Sequence, residues 1–375
     1  MNAPAAPPGR PHDARPLLFL TPGDPAGVGP EILLAAWNRA EAHAGARLRV
    51  CASPALLDAV LAAVPSLPRL RIETIGEGDG RPSTADTVLV VPVPHVGPVP
   101  RRGTVSAAGG RMAVAALERA FASMRCAEAA GGPAAIVTGP LHKEALHAAG
   151  YDVPGHTEWL ARACGLDDGA ASMMLWLPPG GAGGGSGLGV VHVTLHEPLA
   201  AAVGRLSTPA IVAAGERLDA LLGALLGRRP RIAVAALNPH GGEGGLFGDE
   251  ETRLIAPAVE RMRDEGIDAV GPLPADTLFL RAAGGAFDGV VAQYHDQGHI
   301  PVKLLGMHRA VNVTLGLPLV RTSVAHGTAF DIVGTGRADP SSLGSAIDAA
   351  ARLAAHGWRG GVRGAGGAPG ECSSR

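Results

Sequence analysis

The sequence is poor in aromatic residues and in cysteine, and it has neither a long apolar run nor an excess of charge of one sign. Only 3% of its 375 residues are Phe, Trp or Tyr, which argues against a platform that stacks nucleic-acid bases on exposed rings. Lys and Arg number 32 and Asp and Glu number 34, for a formal net charge of −2. A chain so close to neutral offers no general electrostatic attraction to nucleic acid or to an anionic membrane.

The four cysteines, at positions 51, 126, 164 and 372, are widely scattered and form no CxxC pair. This spacing predicts reduced thiols in a cytoplasmic protein rather than a disulfide framework or a zinc knuckle. The longest apolar candidate, residues 211–226, is interrupted by three charged residues, and the apolar run at 17–20 is too short for the core of a signal peptide. We therefore expect a soluble protein of the cytoplasm.

Glycine and proline, in contrast, are abundant, at 54 and 32 residues. Because 46% of the chain is still hydrophobic, it can bury a core, and we expect one large or two medium domains. The excess of glycine and proline belongs in loops and turns, where sites tend to be built. Residues 1–15 and 359–375 are predicted to be disordered arms, and the glycine-rich run 178–187 is predicted to be a flexible loop between two strands.

Short β-branched runs alternate with longer helical patterns over most of the chain. This alternation predicts an α/β protein with a parallel or mixed sheet. The predicted strands are residues 17–21, 48–52, 87–91, 135–138, 172–177, 189–194, 231–237, 289–293 and 310–314. The predicted helices are residues 30–42, 53–63, 106–129, 157–164, 208–226, 250–265 and 340–356. In such a protein we expect the functional side chains in loops at the carboxyl ends of strands.

The segment TPGDPAGVGPE, residues 21–31, follows a predicted strand and precedes a predicted helix. It lacks the third glycine of the GxGxxG fingerprint, and no GxxxxGK[S/T] loop occurs in the chain. A nucleotide would therefore have to bind without either motif. The residues support two interpretations equally: a tight structural turn before a capped helix, or an anion-binding loop at the helix N-terminus.

Three of the 14 histidines follow predicted strands, in segments rich in polar and turn residues. They are His196 in VTLHEPL, His240 in LNPHGGEGG and His295 in QYHDQGH. Imidazole is the commonest protein ligand of transition metals, so the three loops could form a metal site together. Loop histidines bonded to backbone or water are the competing explanation.

Spacing disfavours a local zinc pair. His192 and His196 are four residues apart on an alternating, strand-like segment, which places them about 13 Å apart and too far to share one ion. His295 and His299 have the same spacing, but an intervening glycine and a following proline weaken a helix there. Any metal would therefore have to collect one histidine from each of three distant loops.

Further polar residues lie in nearby loops. His156 and Thr157, with the acid that follows them, precede a predicted helix, and capping of its N-terminus is the simpler reading. Lys303, Asn312 and Arg321 lie on successive loops, where two cations and an amide could hold a phosphate or a carboxylate. Solvated surface charge is the competing and slightly simpler reading of these three residues.

Eight motifs occur in order between about residue 17 and about residue 353. They are TPGDPAGVGPE, TGPLHKEAL, GHTEWLA, HEPL, LNPHGGEGG with the following FG and EE, GPLPADTLF, YHDQGHIPVK, and VNVTLGLPLVRTS with HGTAFDI. Read together, they resemble the 4-hydroxythreonine-4-phosphate dehydrogenase family, known as PdxA. The resemblance covers nearly the whole chain.

The resemblance implies a divalent metal held by His196, His240 and His295, two from one subunit of a homodimer and the third from its partner. Zinc is the expected ion, with magnesium, manganese, cobalt and nickel as alternatives. The resemblance also implies which residues bind the substrate, namely His156, Thr157, Lys303, Asn312 and Arg321.

The family fold is similar to that of the isocitrate and isopropylmalate dehydrogenases, a bilobed α/β/α subunit that binds NAD or NADP without a Rossmann fingerprint. The implied lobes are residues 16–140 with 305–358, and residues 141–304, which would carry the metal site and the dimer contacts. The implied reaction is the NAD(P)-linked oxidation, with decarboxylation, of a phosphorylated 3-hydroxy acid such as 4-(phosphooxy)-L-threonine. Asp276, Asp296 and Lys303 are expected to assist it by orienting ligands or relaying protons.

The sequence also departs from the family. Ala325 stands before His326, where the family commonly has an acid, and the loop 178–187 is longer than expected. The segment YHDQGHIPVKLLG is more similar to the catabolic branch of the family, whose substrates include 4-phospho-D-threonate, 4-phospho-D-erythronate and an aromatic cis-dihydrodiol carboxylate. The competing functions outside this chemistry are a metal-dependent sugar-phosphate isomerase or hydrolase and a non-catalytic metabolite-binding protein.

Overall fold

The computed structural model describes residues 13–76, 78–94, 99–167, 170–180, 185 and 187–360. Most of the two predicted terminal arms, and part of the predicted loop 178–187, lie outside these residues. The strands are β1 Leu17–Thr21, β2 Arg47–Ala52, β3 Arg71–Thr74, β4 Thr87–Pro92, β5 Ala134–Thr138, β6 Ser172–Leu177, β7 Leu188–His192, β8 Ile232–Ala235, β9 Ala269–Leu273, β10 Gly289–Ala292, β11 Val311–Leu315 and β12 Arg321–Val324. The helices are α1 Gly29–Trp37, α2 Ala40–Gly45, α3 Pro54–Ala63, α4 Ala107–Ala129, α5 Lys143–Ala148, α6 His156–Ala163, α7 Leu199–Arg205, α8 Thr208–Leu226, α9 Ala256–Asp264, α10 Ala275–Ala283, α11 His295–Gly306 and α12 Ser341–Ala355.

The described strands form a single sheet in the order β3-β4-β2-β1-β5-β12-β11-β6-β7-β10-β8-β9. β11 pairs antiparallel with β12 and β6, and β6 pairs antiparallel with β7, whereas the other described pairs are parallel. The predicted α/β class with a mixed sheet is therefore confirmed. Strands from residues 16–140 and 305–358 fill one half of the sheet and strands from 141–304 fill the other, while the division into two lobes stays a prediction.

All nine predicted strands occur, and three others escaped prediction because their residues do not read as strands. β3 is a charged edge strand, β9 contains a Gly–Pro pair, and β12 consists largely of polar residues. The predicted helix 30–42 is divided into α1 and α2, since Trp37 ends the first helix and its carbonyl accepts a hydrogen bond from the buried His43 ring (2.6 Å). Four short helices, α5, α7, α10 and α11, were also not predicted.

The structure bears on two expectations from composition, the state of the cysteines and the presence of membrane-spanning helices. Cys51 and Cys164 are not disulfide-bonded, as predicted, but Cys126 is disulfide-bonded, so the prediction of reduced thiols is wrong at that position. Within the described part of the chain, no helix combines the length and the apolar character needed to cross a membrane.

Buried Asp288 ties the start of β10 to the start of β8. Its fully buried carboxylate accepts hydrogen bonds from both terminal nitrogens of Arg228 (2.9 and 2.7 Å) and from the N–H of Arg231 (2.8 Å). These bonds hold in place two of the strands whose opposite ends carry the predicted histidines.

We expect Asp288→Asn to lower the free energy of unfolding by about 2–3 kcal/mol, because charge-assisted bonds to a buried carboxylate are lost. The matched control is Asp249→Asn, whose carboxylate is 70% exposed and pairs with Arg253 at 3.3 Å, and we expect it to change stability by no more than about 0.5 kcal/mol. Urea unfolding of the two variants measures both values. Equal effects would show that Asp288 does not hold the strands.

Candidate active site

The three predicted histidines lie directly after three parallel strands that end side by side. β10 lies between β7 and β8 and pairs parallel with both. His196 follows β7, His295 follows β10 and His240 follows β8. Because neighbouring strands lie about 4.8 Å apart, β7 and β8 are separated by about 10 Å. The three histidine loops therefore share one edge of the sheet.

Hydrogen bonds join the loops at this edge. The Thr194 hydroxyl, after β7, donates to the Gln293 carbonyl after β10 (2.9 Å). The Gln293 side-chain amide donates to the Ala235 carbonyl at the end of β8 (2.7 Å). The Gln297 amide donates to the Ala236 carbonyl, and its oxygen accepts from the Gln293 N–H (2.7 Å each). These bonds hold the start of α11 against both neighbouring strands.

The loop that carries His240 has an unusual backbone. All six residues of 240–245 have positive φ, which the four glycines adopt freely but which costs energy at His240 (φ 52°) and Glu243 (φ 45°). Buried Glu251 anchors the loop, since it accepts hydrogen bonds from the N–H groups of Leu237 (2.8 Å) and Asn238 (2.7 Å). Burial favours a higher pKa for Glu251, but these bonds outweigh it and leave the pKa of the carboxyl below its usual value.

His196 and His295 lie close together, whereas His240 stands apart. The ring centroids of His196 and His295 are 5.6 Å apart. The side chain of His240 is 63% exposed, and its Nδ1 lies 3.8 Å from Oδ2 of Asp276. Among the described residues, no three His, Cys, Asp or Glu side chains are arranged to hold a metal ion. The single chain thus brings together only two of the three predicted ligands.

Asp296 can orient His295 for metal binding. Its Oδ1 lies 2.6 Å from Nδ1 of His295, so an imidazole that donates from Nδ1 keeps its Nε2 lone pair free for a metal. Asp276 has a comparable place beside His240, at a longer distance. Both acids that the sequence singled out therefore lie beside a predicted ligand, and the donor set fits a divalent ion such as zinc.

The sequence-based argument about histidine spacing is wrong in two places. His295 and His299 do lie on one helix, α11, where their rings stack with centroids 3.7 Å apart and planes inclined by 12°. Pro301 removes one main-chain bond, but packing of α11 against β7 and β10 retains the helix. β7 ends at His192, so the strand geometry assumed between His192 and His196 does not apply.

His192 and His299 form a buried pair that sequence reasoning did not assign to the site. The Nδ1 of His299 lies 3.1 Å from the Nε2 of His192, and the two residues are 8% and 6% exposed. Burial, reinforced by the neighbouring histidines, lowers the pKa of His299 to about 4 and holds that of His192 well below its ordinary value. Both rings are therefore neutral near pH 7. The signal in the sequence was that each of the two lies four residues from a predicted ligand, His192 from His196 and His299 from His295.

A cleft of about 440 Å³ adjoins His196. Four of the five predicted substrate residues line it, namely His156, Thr157, Asn312 and Arg321. The fifth, Lys303, is exposed on α11 and does not line this cleft, whereas Lys143 of the TGPLHKEAL motif does. A smaller cavity of about 330 Å³ contains His295 and Asp296 and shares His196 with the cleft. His196 therefore connects the histidine group to the predicted substrate residues.

Arg321 is a buried cation in this cleft. It is 3% exposed, and its two terminal nitrogens donate to the hydroxyls of Thr314 (3.1 Å) and Thr138 (2.7 Å). Its Nε has no partner, and no carboxylate forms an ion pair with it among the described residues. Burial lowers the pKa of Arg321 to about 10, although the negative charge of Glu158, which also lines the cleft, acts in the opposite direction, and Arg321 stays charged at neutral pH. The reading of this residue as solvated surface charge is wrong.

Other polar atoms of the cleft are also without partners. The Oδ1 of Asn312 and the Nε2 of His326 are buried and make no hydrogen bond with the described residues. Burial, with a contribution from nearby Arg321, holds the pKa of His156 well below its usual value, so this imidazole is neutral. Unsatisfied buried groups that converge on one cavity are typical of a binding site.

Contacts at the start of α6 and in the segment 21–31 bear on the interpretations that the sequence left open for these two motifs. At the start of α6 no side chain caps the helix, so the capping interpretation of His156, Thr157 and Glu158 is wrong. In the segment 21–31, a β-carbon on Gly23 would collide with the backbone of Pro140, and Glu31 accepts hydrogen bonds from Arg102 and from the Gly334 N–H. These contacts account for the segment as a structural turn, although α1 also lacks a side-chain cap.

Comparison with known proteins agrees with these motifs. The family model described as "Pyridoxal phosphate biosynthetic protein PdxA" matches residues 45–350. The chain is 45% identical over 338 residues to a 4-hydroxythreonine-4-phosphate dehydrogenase of Beijerinckia indica subsp. indica, which covers 90% of this chain and 94% of that protein. It is 40% identical over 339 residues to a D-threonate 4-phosphate dehydrogenase of Pectobacterium atrosepticum, which covers 90% and 99%.

A solved structure gives the same result. The crystal structure of a 4-hydroxythreonine-4-phosphate dehydrogenase from Klebsiella pneumoniae matches with a TM-score of 0.74 at 40% sequence identity, covering 91% of this chain and 98% of that one. Sequence and fold therefore agree over nearly the whole length. The chain belongs to the PdxA family of dehydrogenases.

Proposed function

We propose that the protein is a metal-dependent, NAD(P)-linked dehydrogenase of a phosphorylated four-carbon hydroxy acid. The proposed reaction converts 4-(phosphooxy)-L-threonine and NAD to 3-amino-2-oxopropyl phosphate, carbon dioxide and NADH. The relative from Pectobacterium is named for D-threonate 4-phosphate, so 4-phospho-D-threonate and 4-phospho-D-erythronate are the alternative substrates. Membership of a dehydrogenase family sets aside the isomerase, hydrolase and non-catalytic readings. We place the enzyme in the cytoplasm.

Buried Arg321 is the observation that carries the proposal. A guanidinium with so little exposure is costly to bury without an opposite charge. Arg321 lines the cleft together with Asn312, whose side-chain NH2 group can donate to an anion, and the cleft leaves room for an anion to supply that charge. A phosphate or carboxylate of the substrate is the anion that this chemistry favours.

The residues of the cleft would bind and orient the substrate. Arg321 and Asn312 would hold an anionic end of the substrate. The neutral His156 can form a hydrogen bond with a phosphate or hydroxyl oxygen of the substrate. Lys303 continues the face of α11 that carries His295 and His299, eight residues after the first, and we propose that it adds a further cation or a proton carrier. Each of these groups acts by position and charge.

His196 and His295 of one protomer fit a divalent metal as part of a three-histidine set. When bound, a metal supplies Lewis-acid polarisation of the substrate hydroxyl and of the carbonyl formed from it, and NAD or NADP supplies the hydride acceptor. Asp296 would hold the His295 ring in its orientation, and Asp276 would do the same for His240. The remaining ligand would come from the partner subunit of a homodimer.

Exposed apolar side chains near these histidines support the homodimer. On α11, Ile300 and Leu304 are 53% and 82% exposed, and Leu280 on neighbouring α10 is 79% exposed. Leu246 and Phe247, directly after the His240 loop, are 75% and 50% exposed. Large apolar side chains grouped on one surface are typical of an interface, and these flank the incomplete ligand set. A second copy of the chain would cover them.

Turnover on a substrate panel tests the proposed function directly. We expect NADH or NADPH formation, followed at its absorbance maximum, with at least one of 4-(phosphooxy)-L-threonine, 4-phospho-D-threonate and 4-phospho-D-erythronate in the presence of zinc, manganese or cobalt. The unphosphorylated acids and an aromatic cis-dihydrodiol carboxylate serve as comparison substrates. No turnover on any compound with either nucleotide would overturn the proposal, and turnover of the aromatic diol alone would overturn its substrate class.

Arg321→Gln tests the role of the buried cation. We expect a loss of about 2–3 kcal/mol of transition-state stabilisation, roughly a 30- to 150-fold fall in kcat/KM for the phosphorylated substrate. Because no described carboxylate lies within ion-pair distance of this cation, the free energy of unfolding should fall by no more than about 1 kcal/mol. Arg71→Gln, at a side chain that is 79% exposed, is the control and should change neither quantity. A large loss of stability with unchanged kcat/KM would make Arg321 structural.

Subunit mixing tests the shared ligand set. His196→Ala, His240→Ala and His295→Ala should each give a folded, inactive dimer with weakened metal binding. If one ligand comes from the partner, two of the three pairwise mixtures should regain activity, because each mixed dimer then contains one intact site. Random reassociation limits the recovery to about a quarter of the wild-type activity. Recovery in none of the mixtures would show that the ligands belong to one subunit.

A further inference from the structure

The buried pair His192–His299 has no role in the proposed reaction, yet it touches a proposed metal ligand. The His299 ring lies against the face of the His295 ring, with centroids 3.7 Å apart and planes inclined by 12°. The Nδ1 of His299 also lies 3.3 Å from the carbonyl oxygen of His295. Behind His299, the ring of His192 completes the group at 4.6 Å between centroids.

The stacking geometry excludes His299 as a second ligand to the ion on His295. A nitrogen lone pair lies in the plane of its ring, so the lone pairs of two stacked rings lie in two separate, nearly parallel planes. Such rings cannot both approach one zinc ion at about 2.0–2.1 Å. The Nε2 of His192 is engaged with His299 at 3.1 Å. The stacked His299 therefore supports the site without ligating the ion on His295.

We propose that the His192–His299 pair is a positioning device that fixes the ring plane of His295 for metal binding. This inference rests on the proposed function, in which His295 is a metal ligand. Asp296 constrains the Nδ1 edge of the His295 ring from the solvent side, and His299 constrains its face from the protein interior. With an edge and a face held, the Nε2 of His295 has one direction left to present to an ion.

The backbone is adapted to this pair. A β-carbon on Gly298 would collide with the Nε2 of His192, so glycine at this place lets α11 approach β7 closely enough for the two imidazoles to bond. His192 is the last residue of β7, and Val190 of the same strand also borders Gly298. The pair thus transmits the position of a central strand to the first turn of α11.

Metal affinity and a metal spectrum test the inference without relying on turnover. In the purified full-length dimer we would measure zinc and cobalt affinity by chelator competition and record the Co(II) visible absorption. We expect His299→Leu, which keeps the volume but removes the bond and the aromatic face, to weaken metal binding about 10- to 100-fold and to shift the Co(II) bands. His308→Leu, the same change at a histidine whose side chain is 73% exposed, should alter neither.

A double-mutant cycle separates positioning from packing. If His192 acts through His299, His192→Leu alone should lower the metal affinity. The double variant, His192→Leu with His299→Leu, should then bind metal as tightly as His299→Leu alone. His299→Gln, which can still bond to His192, should recover part of the affinity. If His299→Leu does not fold, Gly298→Ala displaces His192 from the opposite side and serves as the second variant.

The outcomes distinguish this inference from the proposed function. Wild-type protein that binds no divalent metal, or unchanged binding in His295→Ala, would overturn both. A different result would overturn the positioning role alone. In that case His295→Ala loses metal binding, while His299→Leu keeps both its metal affinity and its Co(II) spectrum. Additive losses in the double variant would show that His192 does not act through His299.

Discussion

The hydrogen bonds that join the ends of β7, β10 and β8 are the constraint on which the histidine group depends. Without them, three loops from distant parts of the chain would end near one another but with no fixed relation. The side chains of Gln293 and Gln297 bond to main-chain carbonyls at the end of β8, and Thr194 bonds to the loop after β10. Buried side-chain amides are well suited to this task because each one has a carbonyl and an amino group to satisfy. The glutamine in YHDQGH therefore helps to hold the first histidine of that motif in place.

Two polar residues of the cleft and the histidine group come from different halves of the sheet. Arg321 on β12 and Asn312 on β11 lie on strands of the first half, whereas the histidine loops follow strands of the second. β11 and β6 pair antiparallel where the halves meet, so polar side chains of both can face one cavity. His196 borders both cavities. A substrate with a reacting hydroxyl and an anionic end a few bonds away suits this arrangement, because its two ends need different chemistry.

Local patterns in the sequence were enough for most of the fold, but not for the contacts that complete the site. Buried strands such as β1 and β6 and the long helix α8 carry their own periodicity, and their predicted bounds are those observed. α11 was missed because glycine and proline weaken a helix locally, while its stability comes from packing on β7 and β10. Burial of Arg321 and the bond between His192 and His299 join residues that are far apart in the chain, so no local pattern could reveal them.

Two buried arginines of this chain show how structural and functional cations differ. Arg49 is 2% exposed and Arg321 is 3% exposed, and burial lowers the pKa of each to about 10. The guanidinium of Arg49 donates to three main-chain carbonyls, those of Leu48, Asp79 and Arg81 (2.8, 2.9 and 2.6 Å). Carbonyl oxygens are fixed acceptors with strong dipoles, so this cation is stabilised by the fold itself.

Arg321 has only two threonine hydroxyls, and its Nε is left without a partner. A hydroxyl is a weaker acceptor than a carbonyl and can turn to donate instead. The fold that surrounds Arg49 with carbonyls leaves Arg321 incompletely solvated, on the floor of a cleft wide enough for a small anion. An incompletely satisfied cation destabilises the empty protein and, for the same reason, strengthens the binding of an anion that reaches it. The structural cost at Arg321 and the affinity for a phosphorylated acid are thus two consequences of the same unpaired charge.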